Sequence, residues 1–233
     1  MKKIFAILLI FTIAISCKHL QGSGNIITEK REVGSFEGID VGGAFEVELQ
    51  QGPVQSVTVE TDDNLIKEIN TKVNGGVLKI STRDHLNISD GHYKVYVVSP
   101  VIKSMDCSGA ASVKTKGVLK NAVEIEIETS GAANLTAELD APTVKVTASG
   151  AGTVKLSGRT KAYKAVSSGS ADVKTINLLS ENAEVAVSGA GNIHVHASVT
   201  LKAEASGAGA IYYTGAARVD QSVTGAGSIR REE

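Results

Sequence analysis

Through the second half of the chain, polar and apolar residues alternate in short bursts. Each burst follows one phrase: Ser-Gly-Ala-Gly, a polar residue, then a β-branched one. Ser149-Gly150-Ala151-Gly152-Thr153-Val154 and Ser188-Gly189-Ala190-Gly191-Asn192-Ile193 are the cleanest copies, and looser ones begin at Ser108, Ser130, Ser168, Ser206 and Thr224. The fifth position after the first residue is always aliphatic: Val113, Leu135, Val154, Val173, Ile193, Ile211 and Ile229. The seventh is Thr115, Ala137, Leu156, Thr175, Val195, Tyr213 and Arg231, while the positions between are mainly polar. A period of two predicts a strand with one face turned inward. Ahead of the phrase, the third position back holds Met105, Ile127, Val146, Ala165, Val185, Ala203 and Gln221. The position just before it holds Cys107, Thr129, Ala148, Ser167, Val187, Ala205 and Val223, which predicts a second strand.

The copies follow one another at steps of 22, 19, 19, 20, 18 and 18 residues, a near-fixed period that signals a repeat architecture. A unit this short has too little chain to bury both strands' apolar faces, so it must stack on its neighbours. Each repeat reads as strand, tight corner, strand and wider corner, the last at Asp140-Ala141-Pro142, Ser157-Gly158-Arg159 and Ser180-Glu181-Asn182. Seven coils spaced by about 4.8 Å make a column roughly 30 Å tall. The expected fold is all-β, a parallel β-helix or solenoid with coils of about 19 residues, and right-handed by the chirality of parallel connections. The alternative is a β-sandwich with Gly-rich hairpins, but there turn chemistry changes from loop to loop. The second residue of the phrase is Gly in every copy: Gly109, Gly131, Gly150, Gly169, Gly189, Gly207 and Gly225. A stacked corner needs backbone conformations and close approaches that a Cβ opposes.

Residues 22–100 read as β-rich but irregular, and 101–233 as the regular array, within one solenoid domain over 22–233. Gly22-Ser23-Gly24-Asn25-Ile26 and Gly42-Gly43-Ala44-Phe45-Glu46-Val47 look like degenerate copies of the phrase. Asp62-Asp63-Asn64 ahead of Leu65, Ile66 and Ile69 predicts a short N-capped helix. This irregular region is expected to cap one end of the column. Arg230, Arg231, Glu232 and Glu233 place charge at the other.

At the start, Lys2 and Lys3 precede an apolar run from Ile4 to Ile15, too short to span a membrane and suited to a secretory signal over residues 1–16. Ala14-Ile15-Ser16-Cys17 resembles a bacterial lipobox, so Cys17 is expected to carry lipid, with 17–21 as a short tether. Lys18 stands where a retention Asp would, which points to the outer membrane of the cell envelope, facing the periplasm or the exterior. Membrane attachment would then run through the lipid on Cys17. Net charge is −1 and drops to about −3 once Lys2 and Lys3 are gone, which gives no electrostatic case for nucleic acid. Cys107 is left as a single thiol in a small inward column, a buried and inert position.

Candidate chemistry is sparse. Clustered carboxylates beside aromatic platforms would mark a polysaccharide lyase or hydrolase, yet there is no Trp and the array's aromatics are Tyr163, Tyr212 and Tyr213. Asp140, Asp172 and Asp220 fall at different places in their repeats, so no catalytic pair is expected. His194 and His196 share one face of a strand as half of a metal site or, more simply, as solvated side chains. The phrase lacks the Asp ladder of calcium-binding repeats, and no metal or cofactor is expected. Lys114, Lys155, Lys174, His194 and Arg230 form an outward basic stripe, broken by Thr136 and Tyr212. It reads as a surface for an acidic glycan or lipopolysaccharide, or as an ordinary solvated strand face.

With these features in view, the chain resembles the bacterial family named for a putative auto-transporter adhesin head GIN domain, common in Bacteroidetes lipoproteins. The resemblance rests on Gly22-Ser23-Gly24-Asn25-Ile26, on Phe36-Glu37-Gly38-Ile39-Asp40-Val41 leading into Gly43-Ala44-Phe45-Glu46-Val47, on Gly75-Gly76-Val77-Leu78-Lys79-Ile80, and on the recurring phrase. It implies a β-helical, surface-associated domain and brings no catalytic residues. The auto-transporter part is not carried over, because 233 residues leave no room for a C-terminal membrane barrel. The function expected first is a lipid-anchored, non-enzymatic surface adhesin, meeting a glycan or another envelope or host surface protein. A carbohydrate-binding or carbohydrate-active β-helix and a structural envelope spacer are the rivals.

Overall fold

A computed structural model describes residues 18–83 and 86–232; the expected signal segment, Cys17 and Glu233 lie outside them. The N-terminal part contributes β1 (Lys18–Gln21), β2 (Ile26–Arg31), β3 (Gly38–Gly43), β4 (Glu46–Gln51), β5 (Ser56–Asp62), β6 (Ile69–Asn74), β7 (Val77–Thr82), β8 (Leu86–Ser89) and β9 (Tyr93–Ser99). The repeat array follows with β10 (Ser104–Gly109), β11 (Ser112–Lys120), β12 (Glu124–Thr129), β13 (Asn134–Gly150), β14 (Thr153–Gly169) and β15 (Asp172–Gly189). It ends with β16 (Asn192–His196), β17 (Thr200–Gly207), β18 (Ala210–Thr214), β19 (Arg218–Gly225) and β20 (Ser228–Arg231).

The array is a parallel β-solenoid. Strands before the phrase stack as β10, β12, the second half of β13, and so on to β17 and β19. Strands after it stack as β11, the first half of β13, and so on to β16, β18 and β20. We call these the leading and trailing sheets. Along the inward columns Val113, Leu135, Val154, Val173, Ile193 and Ile211 are buried, as are Met105, Ile127, Val146, Ala165, Val185 and Ala203. The wider corner does not interrupt the strands where β13, β14 and β15 cross it. Leu139, Gly158 and Leu178 stay paired from coil to coil there, so each of these strands bends through the corner without leaving the ladder.

The tight corners lie in register: Gly131 follows Gly109 along the axis, and Gly150 pairs Gly169, which pairs Gly189. Their φ values fall between 69° and 108°, the left-handed region that suits Gly. Each Gly carbonyl accepts a hydrogen bond from the residue after the next corner's Gly, as in Ala132 N to Gly109 O and Ser170 N to Gly150 O, both 2.7 Å. A Cβ at any of these positions would press on that carbonyl.

The N-terminal part extends the column and then closes it. β3 and β4 form a further coil with Gly43 opposite Gly109, so the phrase at Gly42 is a true copy. β7 and β9 make another coil outside that one, although they come later in sequence. Antiparallel strands seal the end: β6 on β7, β5 on β9, and β2 on β5. The phrase at Gly22 is therefore not a coil, since Ile26 enters an antiparallel strand. The predicted N-capped helix is a single 3-10 turn at Ile66–Glu68 with no side-chain cap. Asp62 turns to other donors: it accepts hydrogen bonds from the N–H groups of Gly24 (2.6 Å) and His92 (2.9 Å).

Candidate functional site

The sixth position after each phrase places its side chain on the outside of the trailing sheet. Strand register puts Lys114, Thr136, Lys155, Lys174, His194, Tyr212 and Arg230 in one column, each residue opposite the next. Glu48 continues the column below Lys114.

Part of this column lies in a groove of about 560 Å³ lined by Thr136, Ala137, Glu138, Lys155, Leu156, Ser157, Lys174, Ile176 and Asn177, with Thr115, Gly117, His194 and Glu232 completing it. Ala137 and Leu156 belong to the core beneath it, Ile176 is half-buried in its lining, and Lys155 and Lys174 are exposed. The groove brings together Lys155, Lys174 and His194 from the expected stripe. Lys114 and Arg230 keep the column but do not line it.

Two irregularities border the recess. In β11 the register with β13 slips between Lys114 and Val118, and in β15 the register with β14 slips between Lys174 and Asn177. Extra residues in one strand re-aim the side chains beside them. Sequence reasoning missed Ser157, Asn177 and Glu138, yet a signal existed. The step of 22 residues runs through the β11 slip and the step of 20 through the β15 slip.

The two lateral faces carry their cations differently. On the leading sheet Lys145 pairs Glu124 at 2.9 Å, Lys164 pairs Glu184 at 3.6 Å, and Lys202 pairs Glu204 at 2.9 Å. On the trailing sheet Lys174 meets Asp172 at 2.9 Å and His194 Nδ1 meets Glu232 at 3.2 Å. Lys114, Lys155 and Arg230 have no ion-pair partner within 4 Å among the described residues. Within the groove Lys155 and Lys174 stand beside Glu138 and Glu232, so with His194 neutral its lining carries no net charge, and the unpaired cations of the column are Lys114, Lys155 and Arg230.

Other candidates disperse. Tyr163 is buried, and Tyr213 points toward the core while its neighbour Tyr212 faces outward. The Tyr212 ring stacks on His194 with centroids 4.7 Å apart, so the facing surfaces of the two rings cover each other. Asp140 is held by a two-point contact with Arg159 (3.0 and 2.7 Å), which keeps its carboxyl below the usual range. Asp140 and Asp172 stand in separate columns, and Asp220 is on the other sheet. His194 and His196 line different cavities, and among the described residues no group of three His, Cys, Asp or Glu is placed to hold a metal. Cys107 is buried, and desolvation, helped by Asp106 and Asp40, pushes its thiol up to about 12, which keeps it protonated and unreactive.

A parallel solenoid with stacked glycine corners and grooves along its lateral sheets defines a β-solenoid repeat protein. The chain belongs to the family described as putative auto-transporter adhesin, head GIN domain, which it matches over residues 35–217. A putative adhesin from Bacteroides fragilis superposes with a TM-score of 0.87 at 24% identity, covering 91% of this chain and 100% of that one. A protein from Parabacteroides distasonis described as a putative lipid binding protein gives 0.78 at 22%, covering 93% and 100%. A putative adhesin from Parabacteroides merdae gives 0.71 at 20%, covering 92% and 99%. At these identities the likeness establishes the shared fold. No curated protein matches the chain. Among the described residues no helix is long and apolar enough to cross a membrane.

Proposed function

We propose that this protein is a non-catalytic adhesin of the cell envelope, held at the outer membrane by lipid on Cys17, and that it meets its partner through the trailing face. Membership of an adhesin-named family supports the class. The observation that carries the contact surface is the column in which Lys114, Lys155 and Arg230 have no ion-pair partner within 4 Å among the described residues, while Lys145, Lys164 and Lys202 of the opposite sheet pair with neighbouring glutamates. Cations left unpaired along one line repel one another and gain by meeting an anionic group of a partner. The anchor agrees with the apolar run and the Ala14-Ile15-Ser16-Cys17 sequence.

The test uses cells producing the full chain. Reversing Lys155 and Lys174 to Glu should abolish attachment to glycan-bearing surfaces, whereas reversing Lys164 and Lys202 should leave it intact. Equal attachment by both double variants would overturn the assignment of the face. Cys17→Ser should move the protein from the membrane fraction to the soluble one, and a protein that stays in the membrane fraction would overturn the lipid anchor.

A further inference from the structure

We infer that Asn74 is a modification site, at which the chain converts its own asparagine to a mixture of aspartate and isoaspartate without an enzyme. The site lies in the closing end of the molecule and is independent of how the trailing face is used.

The chemistry needs a side-chain amide within reach of the next residue's main-chain nitrogen. Asn74 is the one asparagine in the chain that a glycine follows, whereas Asn25, Asn87 and Asn192 precede isoleucine, whose branched side chain crowds that approach. β6 and β7 form a hairpin in which Asn74 pairs Val77, so Gly75 and Gly76 make up its two-residue turn. Their φ values of 57° and 78° are those of the tight hairpin turn that glycine favours, and a Cβ at either would meet nothing within 4 Å. Asn74 and both glycines are exposed, so water reaches the reacting atoms. Other asparagines are tied down: Asn64 donates to the Gln21 carbonyl at 2.8 Å, Asn121 to the Ile102 carbonyl at 2.9 Å, and Asn182 accepts from Thr200 at 2.7 Å. Among the described residues the Asn74 side chain has no such bond.

The steps balance with water alone. The Gly75 nitrogen attacks the Asn74 side-chain carbonyl carbon, the new N–C bond closes a five-membered imide, and ammonia leaves carrying the Gly75 amide proton. Water then opens the ring. Cleavage at the side-chain carbonyl leaves aspartate, and cleavage at the main-chain carbonyl leaves isoaspartate, with one more methylene in the backbone path. Extended backbone at Asn74 holds nitrogen and carbonyl apart, so the reaction waits on local opening of the turn. β6 is an edge strand bonded only to β7, the kind of element that opens locally.

The product alters the joint between the closure and the coils. The Gly76 carbonyl accepts hydrogen bonds from Glu37 N at 2.9 Å and Gly38 N at 3.2 Å, and Gly38 opens β3. A longer backbone path through the turn displaces that carbonyl, and either product adds a negative charge.

Purified full chain should be held at body temperature at neutral and at mildly acid pH, folded and in urea, and its digests followed over weeks by mass spectrometry. The peptide holding Asn74 should gain one mass unit and split into two chromatographic forms. The gain should be faster at neutral pH, where the attacking amide loses its proton more readily, and faster in urea, where no ladder restrains the turn. Asn74→Gln should stop it, because a six-membered ring closes far less readily. Gly75→Ala should slow it roughly ten-fold in the unfolded chain, where the added methyl crowds the attack and any loosening of the turn plays no part. A folded Asn74 peptide still unchanged when the urea control has fully converted would overturn the inference. So would the same mass gain in Asn74→Gln, or an undiminished rate in unfolded Gly75→Ala.

Discussion

Between Gly109 and Gly225 successive coils meet through equivalent residues, whereas the antiparallel closing strands β2, β5 and β6 find their neighbours by different ones. In the array a Gly carbonyl accepts from the next coil's corner, and aliphatic columns continue upward. In the closure, antiparallel pairs seal the end and specific side chains pin the loops. Asp62 holds the N–H groups of Gly24 and His92, and Glu60 accepts from His92 Nε2 at 2.8 Å and from Tyr96 Oη at 3.2 Å. The array gains its fit from backbone meeting backbone, repeated coil by coil. The closure depends on single polar contacts with no duplicate elsewhere.

The sharpest way to break that contrast is Gly150→Ala. The position has a φ of 93°, and a Cβ there would press on the Gly131 carbonyl and sit 2.8 Å from its nitrogen. Backbone cannot swing aside as a side chain can, and the coil below is fixed by its own neighbours. Strain and overpacking together should cost roughly 3–5 kcal/mol in chemical denaturation. A loss below about 1 kcal/mol would mean that the corners do not bear on one another.

Asp62→Ala comes next and probes the closure. Its side chain is buried, and removal strands two backbone donors, so a loss of roughly 2–3 kcal/mol is expected. The His92 N–H bond, above all, holds the Asp62 carboxyl below its usual range. A lowered pKa contributes stability that is present above the unfolded value of about 3.9 and lost as pH drops through the folded value. The parent should therefore lose stability on acidification below about pH 4 more steeply than the variant. Parallel acid limbs in the two melting profiles would remove Asp62 from the account.

Gly24→Ala separates conformation from contact. Gly24 has a φ of 79°, in the same left-handed region as the corner glycines, but a Cβ there meets nothing within 4 Å. It should cost only about 1 kcal/mol. If it matched Gly150→Ala, the corner's cost would come from φ alone and not from stacking.

The same contrast explains what could be read from the chain in advance. The array was legible because each coil repeats a local phrase, so register needed no long-range information. The Gly42 phrase was legible for the same reason. The Gly22 phrase misled, because Gly-Ser-Gly-Asn suits any tight turn and nothing local says whether the next strand runs parallel or antiparallel. β7 and β9 could not be placed, since they pair outside β3 and β4 after a detour from Gln51 to Val77 that carries no period. The helix at Asp62-Asp63-Asn64 failed because its capping carboxylates are taken up by residues distant in sequence, Asp63 by Ser23 and Asn25. The basic column was readable from spacing. The groove was encoded in the two long steps, but a step length does not say which residue is extra, and only the register reveals that.

The smallest expected effect compares the two lateral faces within the array itself. Lys145 lies 2.9 Å from Glu124, and the shared hydrogen bond raises the lysine's pKa, so both charges favour the folded state. Lys155 has no such neighbour and faces Lys174 on the next coil. Lys145→Ala should lower the melting temperature slightly, and the difference should fade as salt screens the exposed pair. Lys155→Ala should leave the melt unchanged or raise it, because it removes repulsion and no attraction. A clear destabilisation by Lys155→Ala would show that this lysine is spent on the fold, and the argument for a waiting ligand would lose its starting point.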